Sequence, residues 1–405
     1  MKVGAVLAEA LPEALDFLQR LVSENSATSN PAGIARNAGL IAAQFEALGF
    51  TAEQVPARDP SFGRHLFLHR PGRGNRALML VTHLDTVYSA EEEARNHFHW
   101  QVEGERIYGP GVIDIKGGTA MIWLVLETLR KVAPAVFAET HWLIAANAAE
   151  EELPEDFSQF CRERMPAGCR AALVFESCSG LGGEFSLVEC RKGSANLRVS
   201  VEGRGAHAGS RHHEGANAIV ALSRLVERIA ALTDYNRKLT ANVGWISGGG
   251  PINRVPHAAA CEVNIRAFDP LVLEEAVAAI MNFQNEPATV RAASDDFPCS
   301  VQVKVLSRNP AWPPSPETGR LLTIWKSAAA EAGVALESEP RGGLSDGNYL
   351  SQFMPTLDGL GPFGRNGHAS ERSADGRKVP EYVEPASFLS MGTVNVNAIL
   401  RLLEA

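Results

Sequence analysis

Short, largely apolar runs alternate with helical segments in the first half of this 405-residue chain. Such runs are typical of strands buried on both faces, and their alternation with helices predicts an α/β fold with a mostly parallel sheet. The predicted strands are 65–69, 77–82, 141–146 and 171–175, and the predicted helices are 11–24, 33–49 and 117–132. A chain of this length is expected to form two or three domains.

The pattern changes near residue 193. Residues 197–201 alternate strictly between apolar and polar, which is typical of a strand with one buried face. Strands and helices then follow in the β-α-β-β-α-β order of a ferredoxin-like domain. After a proline-rich joint at 310–316, the α/β pattern resumes. We therefore predict an inserted α+β domain over 193–307, within a larger α/β domain made of 1–192 and 308–405.

Composition excludes several classes of protein. The formal net charge of −9 argues against a general electrostatic affinity for nucleic acid. No stretch approaches the about 18 consecutive apolar residues of a transmembrane helix. The N-terminal segment carries Glu9, Glu13 and Asp16, which the apolar region of a signal peptide would lack. Six scattered cysteines suit reduced thiols. We expect a cytoplasmic protein that binds neither membranes nor nucleic acid.

Histidine and carboxylate side chains follow five of the apolar runs or adjoining loops. These residues are His83 and Asp85, Asp114, Glu150 and Glu151, Glu176, and His368. Because ligands bind at the carboxyl ends of the strands in open α/β sheets, we expect these side chains to converge. Two histidines with several acids, and no cysteine, favour a hard or borderline divalent metal ion.

Charge favours two metal ions over one. Asp114, Glu151 and Glu176 supply three negative charges, which two divalent ions and a shared hydroxide would bring to zero. A single zinc ion would leave excess negative charge in a cleft. Each residue alone also has an ordinary explanation: a packed or surface histidine, a solvated run of glutamates, or Asp114 as a helix cap. Their conjunction favours the metal site.

Seven segments match one known family in order and spacing. They are THLDTV (82–87), YGPGVIDIKGG (108–118), NAAEEE (147–152), VFES (174–177), GRGAHAGS (203–210), LSDGNYL (344–350) and TLDGLGPFG (356–364). Through them the chain resembles the dinuclear zinc exopeptidases and amide hydrolases, which include glutamate carboxypeptidase, acetylornithine deacetylase, succinyl-diaminopimelate desuccinylase and aminoacylase. LSDGN and TLDGLGP are most similar to the glutamate carboxypeptidase branch. The resemblance covers nearly the whole chain and implies a catalytic domain with a smaller lid domain that forms the dimer.

The resemblance also implies the metal ligands. One zinc ion would be held by His83, Asp114 and Glu176. The other would be held by Asp114, Glu151 and His368, so that Asp114 bridges the two ions.

Further roles follow from the same resemblance. Asp85 would orient the imidazole of His83, and Glu150 would act as the general base. The peptide bond between Asp114 and Ile115 would be cis.

In the lid, His207 of the GRGAHAGS segment would reach the active site of the partner subunit and stabilise the oxyanion. Asn253 and Arg266 would bind the substrate carboxylate. Arg266 is equally consistent with an ordinary cation on a sheet surface. Gly343 belongs to a loop at 342–348 that is predicted to line the pocket, although its glycines are also typical of a simple turn. A homodimer formed through the lid is the expected assembly.

The predicted function is metal-dependent hydrolysis of an amide bond next to a free carboxylate, with Glu150 as the base and two zinc ions activating a water molecule. An N-acyl amino acid, a dipeptide or a folate-like molecule would be the substrate. Deacylation of an N-acyl amino acid, a dinuclear phosphoesterase and a non-catalytic dimer that binds a small ligand stay open as alternatives. Two segments depart from the family pattern: 89–99, and the long, charged stretch at 365–380.

Overall fold

The computed structural model describes residues 2–152, 155–180 and 184–404. The chain forms two compact units. The first consists of Met1–Glu189, Pro314–Pro340 and Ser345–Ala405, and the second of Cys190–Pro313 and Arg341–Leu344.

Helices and strands are numbered here in chain order. The helices are α1 (Val3–Val22), α2 (Pro31–Glu46), α3 (Ala90–Asn96), α4 (Lys116–Val132), α5 (Pro134–Glu139), α6 (Glu155–Arg164), α7 (Ala218–Ala230), α8 (Pro270–Met281), α9 (Pro316–Ala332), α10 (Asp346–Leu350) and α11 (Ala386–Glu404). The strands are β1 (Thr51–Pro56), β2 (Arg64–Arg70), β3 (Ala77–His83), β4 (Gln101–Glu103), β5 (Arg106–Tyr108), β6 (His141–Asn147), β7 (Cys169–Val174), β8 (Phe185–Arg191), β9 (Gly193–Glu202), β10 (Thr240–Gly248), β11 (Ala258–Ala267), β12 (Ser300–Asn309), β13 (Leu336–Arg341), β14 (Thr356–Leu357), β15 (Gly364–Arg365) and β16 (Tyr382–Val383).

A six-stranded sheet forms the centre of the first unit, in the order β1-β2-β6-β3-β7-β14. Only β2 runs against its neighbours, so the sheet is mostly parallel, and the predicted α/β class is confirmed. Every residue of β3 is buried, which explains its apolar sequence without alternation. His83 of β3 is in register with Asn147 of β6, so the segments that follow these two strands leave the sheet at the same edge.

Helices cover this sheet. Nearly all of α4 is buried, and α1 and α11 pack against it, because each presents a broad apolar face to the core. Among the described residues, α11 is the one helix long and apolar enough to cross a membrane by length and composition, and most of that stretch is buried inside the protein. The cytoplasmic location stays a prediction.

Two smaller groups of strands complete the topology. One sheet joins β15, β16, β5 and β4, and β8 pairs with β13. Most of the unusual segment 89–99 is helix α3, which Ser89 caps by accepting a hydrogen bond from the backbone N–H of Glu92 at 3.1 Å.

The second unit contains a four-stranded antiparallel sheet in the order β10-β11-β9-β12, and α7 and α8 pack against it. With its β-α-β-β-α-β chain order, this is the predicted ferredoxin-like fold. Buried and solvated residues alternate along β9 and β11, as expected for a sheet covered on one face. Asn217 and Asp269 cap the two helices by accepting hydrogen bonds from backbone N–H groups of the first turn.

Candidate metal centre

His83 ends β3 with its imidazole fully buried. Nδ1 lies 3.0 Å from the backbone oxygen of Asp85, which can only accept, so this contact assigns the proton to Nδ1. The lone pair of Nε2 then faces carboxylate oxygens, 3.0 Å from Asp114 Oδ1 and 3.8 Å from Glu176 Oε1. Neither an imidazole lone pair nor an ionised carboxylate offers a hydrogen, so this geometry requires a cation or a further proton between them.

The carboxylate of Asp114 lies between two histidines. Its Oδ1 is 3.0 Å from Nε2 of His83, and its Oδ2 is 3.1 Å from Nε2 of His368. Nε2 of His368 is also 3.3 Å from Glu151 Oε2. One carboxylate with each oxygen directed at a different imidazole has the arrangement of a ligand that bridges two ions. The peptide bond from Asp114 to Ile115 is cis, as the resemblance implied.

Three glutamates complete the cluster. The ligand atoms of His83, Glu150 and Glu176 lie within 4.8 Å of one another, and so do those of His83, Asp114 and Glu151. Oε1 of Glu151 is buried and has no hydrogen-bond partner within the described residues. Burying a carboxylate oxygen is costly unless a cation or a hydrogen-bond donor binds it. This set of nitrogen and oxygen donors fits divalent metal ions.

The charges in the cluster shift one another's pKa values. Hydrogen bonds to Asp114 and Glu151 raise the pKa of His368 to about 10. Burial works against the charged form of His83, but its hydrogen bond to Asp114 holds the pKa well above the usual value. Burial raises the pKa of Glu150 well above that of an exposed glutamate. The site therefore concentrates negative charge in a buried position and stabilises positive charge brought into it.

Asp85 makes more contacts than the one predicted for it. In addition to facing His83, its carboxylate accepts the backbone N–H of Glu150 at 3.0 Å and that of Glu151 at 3.3 Å. It also accepts the hydroxyl of Thr28 at 2.7 Å. One buried carboxylate thus joins the end of β3 to the segment that carries two of the candidate residues. Thr28 was missed because it lies 57 residues before Asp85 and belongs to no motif.

Asn147 and Asp346 form a second buried contact near the cluster that the sequence did not reveal. Asn147, the last residue of β6, donates a hydrogen bond to Asp346 Oδ1 at 2.7 Å. Burial raises the pKa of Asp346 to about 7. Asp346 belongs to the LSDGN segment that supported the resemblance, so the motif was visible, but its role was not.

The four residues predicted for substrate contacts lie in the second unit. His207 and Asn253 are exposed, and their loops meet where the N–H of Ala208 donates to the backbone oxygen of Asn253 at 2.8 Å. Arg266 donates to the backbone oxygen of Gly342 at 2.8 Å. The adjacent Gly343 accepts a hydrogen bond from Arg191 at 3.1 Å through its backbone oxygen. These residues therefore form two pairs within their own unit.

Comparisons with known proteins find relatives of this chain in sequence and in fold. Residues 190–289 match the peptidase dimerisation domain family. The chain is 28% identical to carboxypeptidase G2 from Pseudomonas sp. (strain RS-16), over 89% of this chain and 84% of the relative. It is 25% identical to acetylornithine deacetylase from Erwinia tasmaniensis, over 65% of this chain and 70% of the relative. The fold is similar to that of aminopeptidase PepT from Bacillus cereus, with a TM-score of 0.78, 20% identity, and coverage of 98% and 99% of the two chains.

We predict that Asp346→Asn makes the stability of the metal-free protein less dependent on pH. The folded-state pKa of about 7 lies above the ordinary value of 3.8, so between these values the folded protein binds an extra proton and loses stability as the pH rises. Without this group, the slope of the unfolding free energy against pH should become more positive by up to about 1.4 kcal/mol per pH unit. Urea unfolding between about pH 5 and pH 7 measures this slope.

Asp375→Asn is the control for this prediction. Hydrogen bonds from Ser373 and the backbone lower the pKa of exposed Asp375, so it is ionised in both states throughout that window and its replacement should leave the slope unchanged. Equal slopes for Asp346→Asn and the wild-type chain would contradict the prediction.

Proposed function

We propose that this chain is a member of the dinuclear zinc exopeptidase and amide hydrolase family and that it hydrolyses an amide bond next to a free carboxylate, as a glutamate-carboxypeptidase-like metallopeptidase. The observation that carries this proposal is the carboxylate of Asp114, which directs one oxygen at each of two histidines. The similarity to carboxypeptidase G2 over most of both chains supports the choice of reaction.

Two divalent ions, most simply zinc, are the proposed cofactors. His83, Asp114 and Glu176 would hold one ion, and Asp114, Glu151 and His368 the other. The proximity of Nε2 of His83 to Asp114 and Glu176, and of Nε2 of His368 to Asp114 and Glu151, supports these two sets. When bound, such a pair of ions polarises a carbonyl oxygen and lowers the pKa of water at the site towards about 7.

Glu150 is the proposed general base. Its Oε2 lies 3.9 Å from Nε2 of His83, beside the donor atoms but without the short contacts that Asp114 makes. The elevated pKa that burial gives it suits a group that takes a proton from water and then delivers it to the leaving nitrogen. Asp85 would hold both His83 and the backbone of Glu150 in place for this step, through the hydrogen bonds described above.

The second unit would supply the remaining functions. The match to a peptidase dimerisation domain supports a homodimer formed through this unit. We propose that His207 stabilises the oxyanion in the partner subunit. Asn253 and Arg266 would bind the substrate carboxylate, for which the planar guanidinium of arginine is well suited. Gly343 would line the pocket.

Deacylation of an N-acyl amino acid is the second candidate, which the similarity to acetylornithine deacetylase favours. Both reactions hydrolyse an amide and would use the same cluster. They differ in the acyl group on the carbonyl side of the amide, which is an aminoacyl or peptidyl group in one reaction and a simple acyl group in the other.

The first prediction from this proposed function concerns metal dependence and substrate class. The purified chain should bind about two zinc ions and cleave amide substrates, and a chelator should abolish cleavage until zinc is restored. Peptides ending in glutamate and N-acetyl amino acids, each with a free or an amidated α-carboxyl group, form the matched panel. Faster cleavage of the free acids is expected. Equal cleavage of amidated substrates, or cleavage of phosphoesters alone, would contradict the proposed reaction.

The second prediction concerns the base. Glu150→Gln keeps the shape of the side chain but cannot accept the proton, so turnover should fall by about 100- to 10,000-fold while zinc stoichiometry stays unchanged. Steady-state kinetics and metal analysis on the same preparation measure both quantities. A variant with wild-type turnover would show that Glu150 is not the base.

The third prediction concerns sharing of the site between subunits. If His207 acts in the partner's site, His207→Ala and Glu150→Gln chains should each be inactive alone, but mixed dimers should regain part of the activity because one complete site forms. The two chains carry different affinity tags, so that heterodimers can be isolated before assay. Isolated heterodimers as inactive as the parent variants would argue for a site built within one chain.

A further inference from the structure

Glu381 is fully buried, and the function proposed above gives it no role. It directly precedes β16 and closes the charged segment that sets this chain apart from its family. Its carboxylate has four hydrogen-bond donors in reach. Oε1 accepts the backbone N–H groups of Ile113 at 2.7 Å and Asp114 at 3.1 Å, and Oε2 accepts the hydroxyl of Tyr88 at 2.7 Å and the N–H of Gly111 at 3.4 Å.

Three of these donors belong to one loop, the segment 111–114. Its turn is shaped locally, since Gly111 has a positive φ of 79° and the N–H of Val112 donates to the backbone oxygen of Gly109 at 3.2 Å. The N–H groups of Ile113 and Asp114, in contrast, donate to Glu381. Backbone N–H groups in such a buried loop need an acceptor from elsewhere in the chain. The Glu381 carboxylate supplies that acceptor to the residue that lies between the two histidines.

The backbone of Glu381 reaches the other side of the site. Its N–H donates to the backbone oxygen of Ala369 at 2.8 Å, one residue after His368. The loop that carries both residues is closed at its base, where Arg365 of β15 is in register with Tyr382 of β16. Glu381 therefore contacts the Asp114 loop through its side chain and the His368 loop through its backbone.

We infer that Glu381 is a positioning residue that fixes the backbone of Asp114 relative to that of His368. The two oxygens of the Asp114 carboxylate can then face one histidine each. This inference rests on the proposed metal site. Each oxygen of a bridging carboxylate must point at a different ion. A small displacement of its backbone therefore weakens both contacts together. Loss of groups that orient metal ligands typically weakens metal affinity by about 10- to 100-fold.

Zinc affinity of the 405-residue chain, measured by competition with a fluorescent chelator, tests the inference. We expect Glu381→Ala to bind zinc about 10- to 100-fold more weakly than the wild-type chain. Glu381→Gln should recover much of the affinity, because its amide oxygen can still accept from Ile113 and Asp114 while its NH₂ group donates to the Tyr88 hydroxyl. Tyr88→Phe, which removes a hydrogen bond to the same carboxylate but none to the loop, should stay close to wild type.

Glu127→Ala is the matched control for a purely structural role. Glu127 is also a buried glutamate, and both of its oxygens accept hydrogen bonds from Arg130 at 2.8 Å within α4. This variant should lower the melting temperature and leave zinc affinity unchanged. If Glu381→Ala fails to fold, Glu381→Asp serves instead, because it keeps the charge but shortens the side chain by one methylene, and its zinc affinity should also fall.

The outcomes separate the two proposals. A wild-type chain that binds no zinc would overturn the proposed function, and the inference with it. A wild-type chain that binds two zinc ions, with folded Glu381 variants that bind them equally well, would overturn the inference alone. Equal losses of zinc affinity in the Glu381 and Glu127 variants would likewise overturn the inference. The losses would then reflect lower stability of the folded protein and not displacement of the Asp114 backbone.

Discussion

The contact on which the site depends is the carboxylate of Asp114 between two imidazoles, about 3 Å from each. Around it, three glutamates are packed into a partly buried space, where negative charges repel one another and lose hydration. Protons on the histidines relieve this repulsion in the metal-free protein. Divalent cations would relieve the repulsion more strongly, because they carry more charge and form directional bonds to the ligand atoms. The donor atoms and the electrostatics therefore both favour a divalent metal site.

The parallel sheet makes this crowding possible. β3 and β6 run in the same direction with His83 beside Asn147, so the chain delivers His83 and the Glu150 segment to one edge of the sheet. Asp85 then joins the two segments by accepting backbone N–H groups across the gap. Rigid strands thus set the spacing between the segments that carry the candidate ligands. Buried hydrogen bonds from residues that are not ligands then position the loops more closely than the strands alone could.

The fold could be predicted because its signals are local. Apolar runs without alternation identified β3, β6 and β7, and strict alternation identified β9, since each pattern reflects which faces of a strand are buried. The candidate ligands were also accessible, because they follow those strands directly and lie in recognisable motifs. Short elements without such patterns, including α3 and the strands β15 and β16, were missed, because their stability comes from caps and partners distant in sequence.

Residue order and hydrophobic patterning were enough to predict the two-unit α/β architecture and the convergence of histidine and carboxylate side chains at one sheet edge. The family resemblance added the central place of Asp114. How the cluster is held depends on contacts that exist only in the folded chain. Thr28, Tyr88 and Glu381 make hydrogen bonds to residues between 57 and 293 positions away, and a pairing across that distance leaves no periodicity or motif in one sequence. Folding brings such partners together because a buried carboxylate and a buried N–H are each costly alone and are satisfied only in each other's presence.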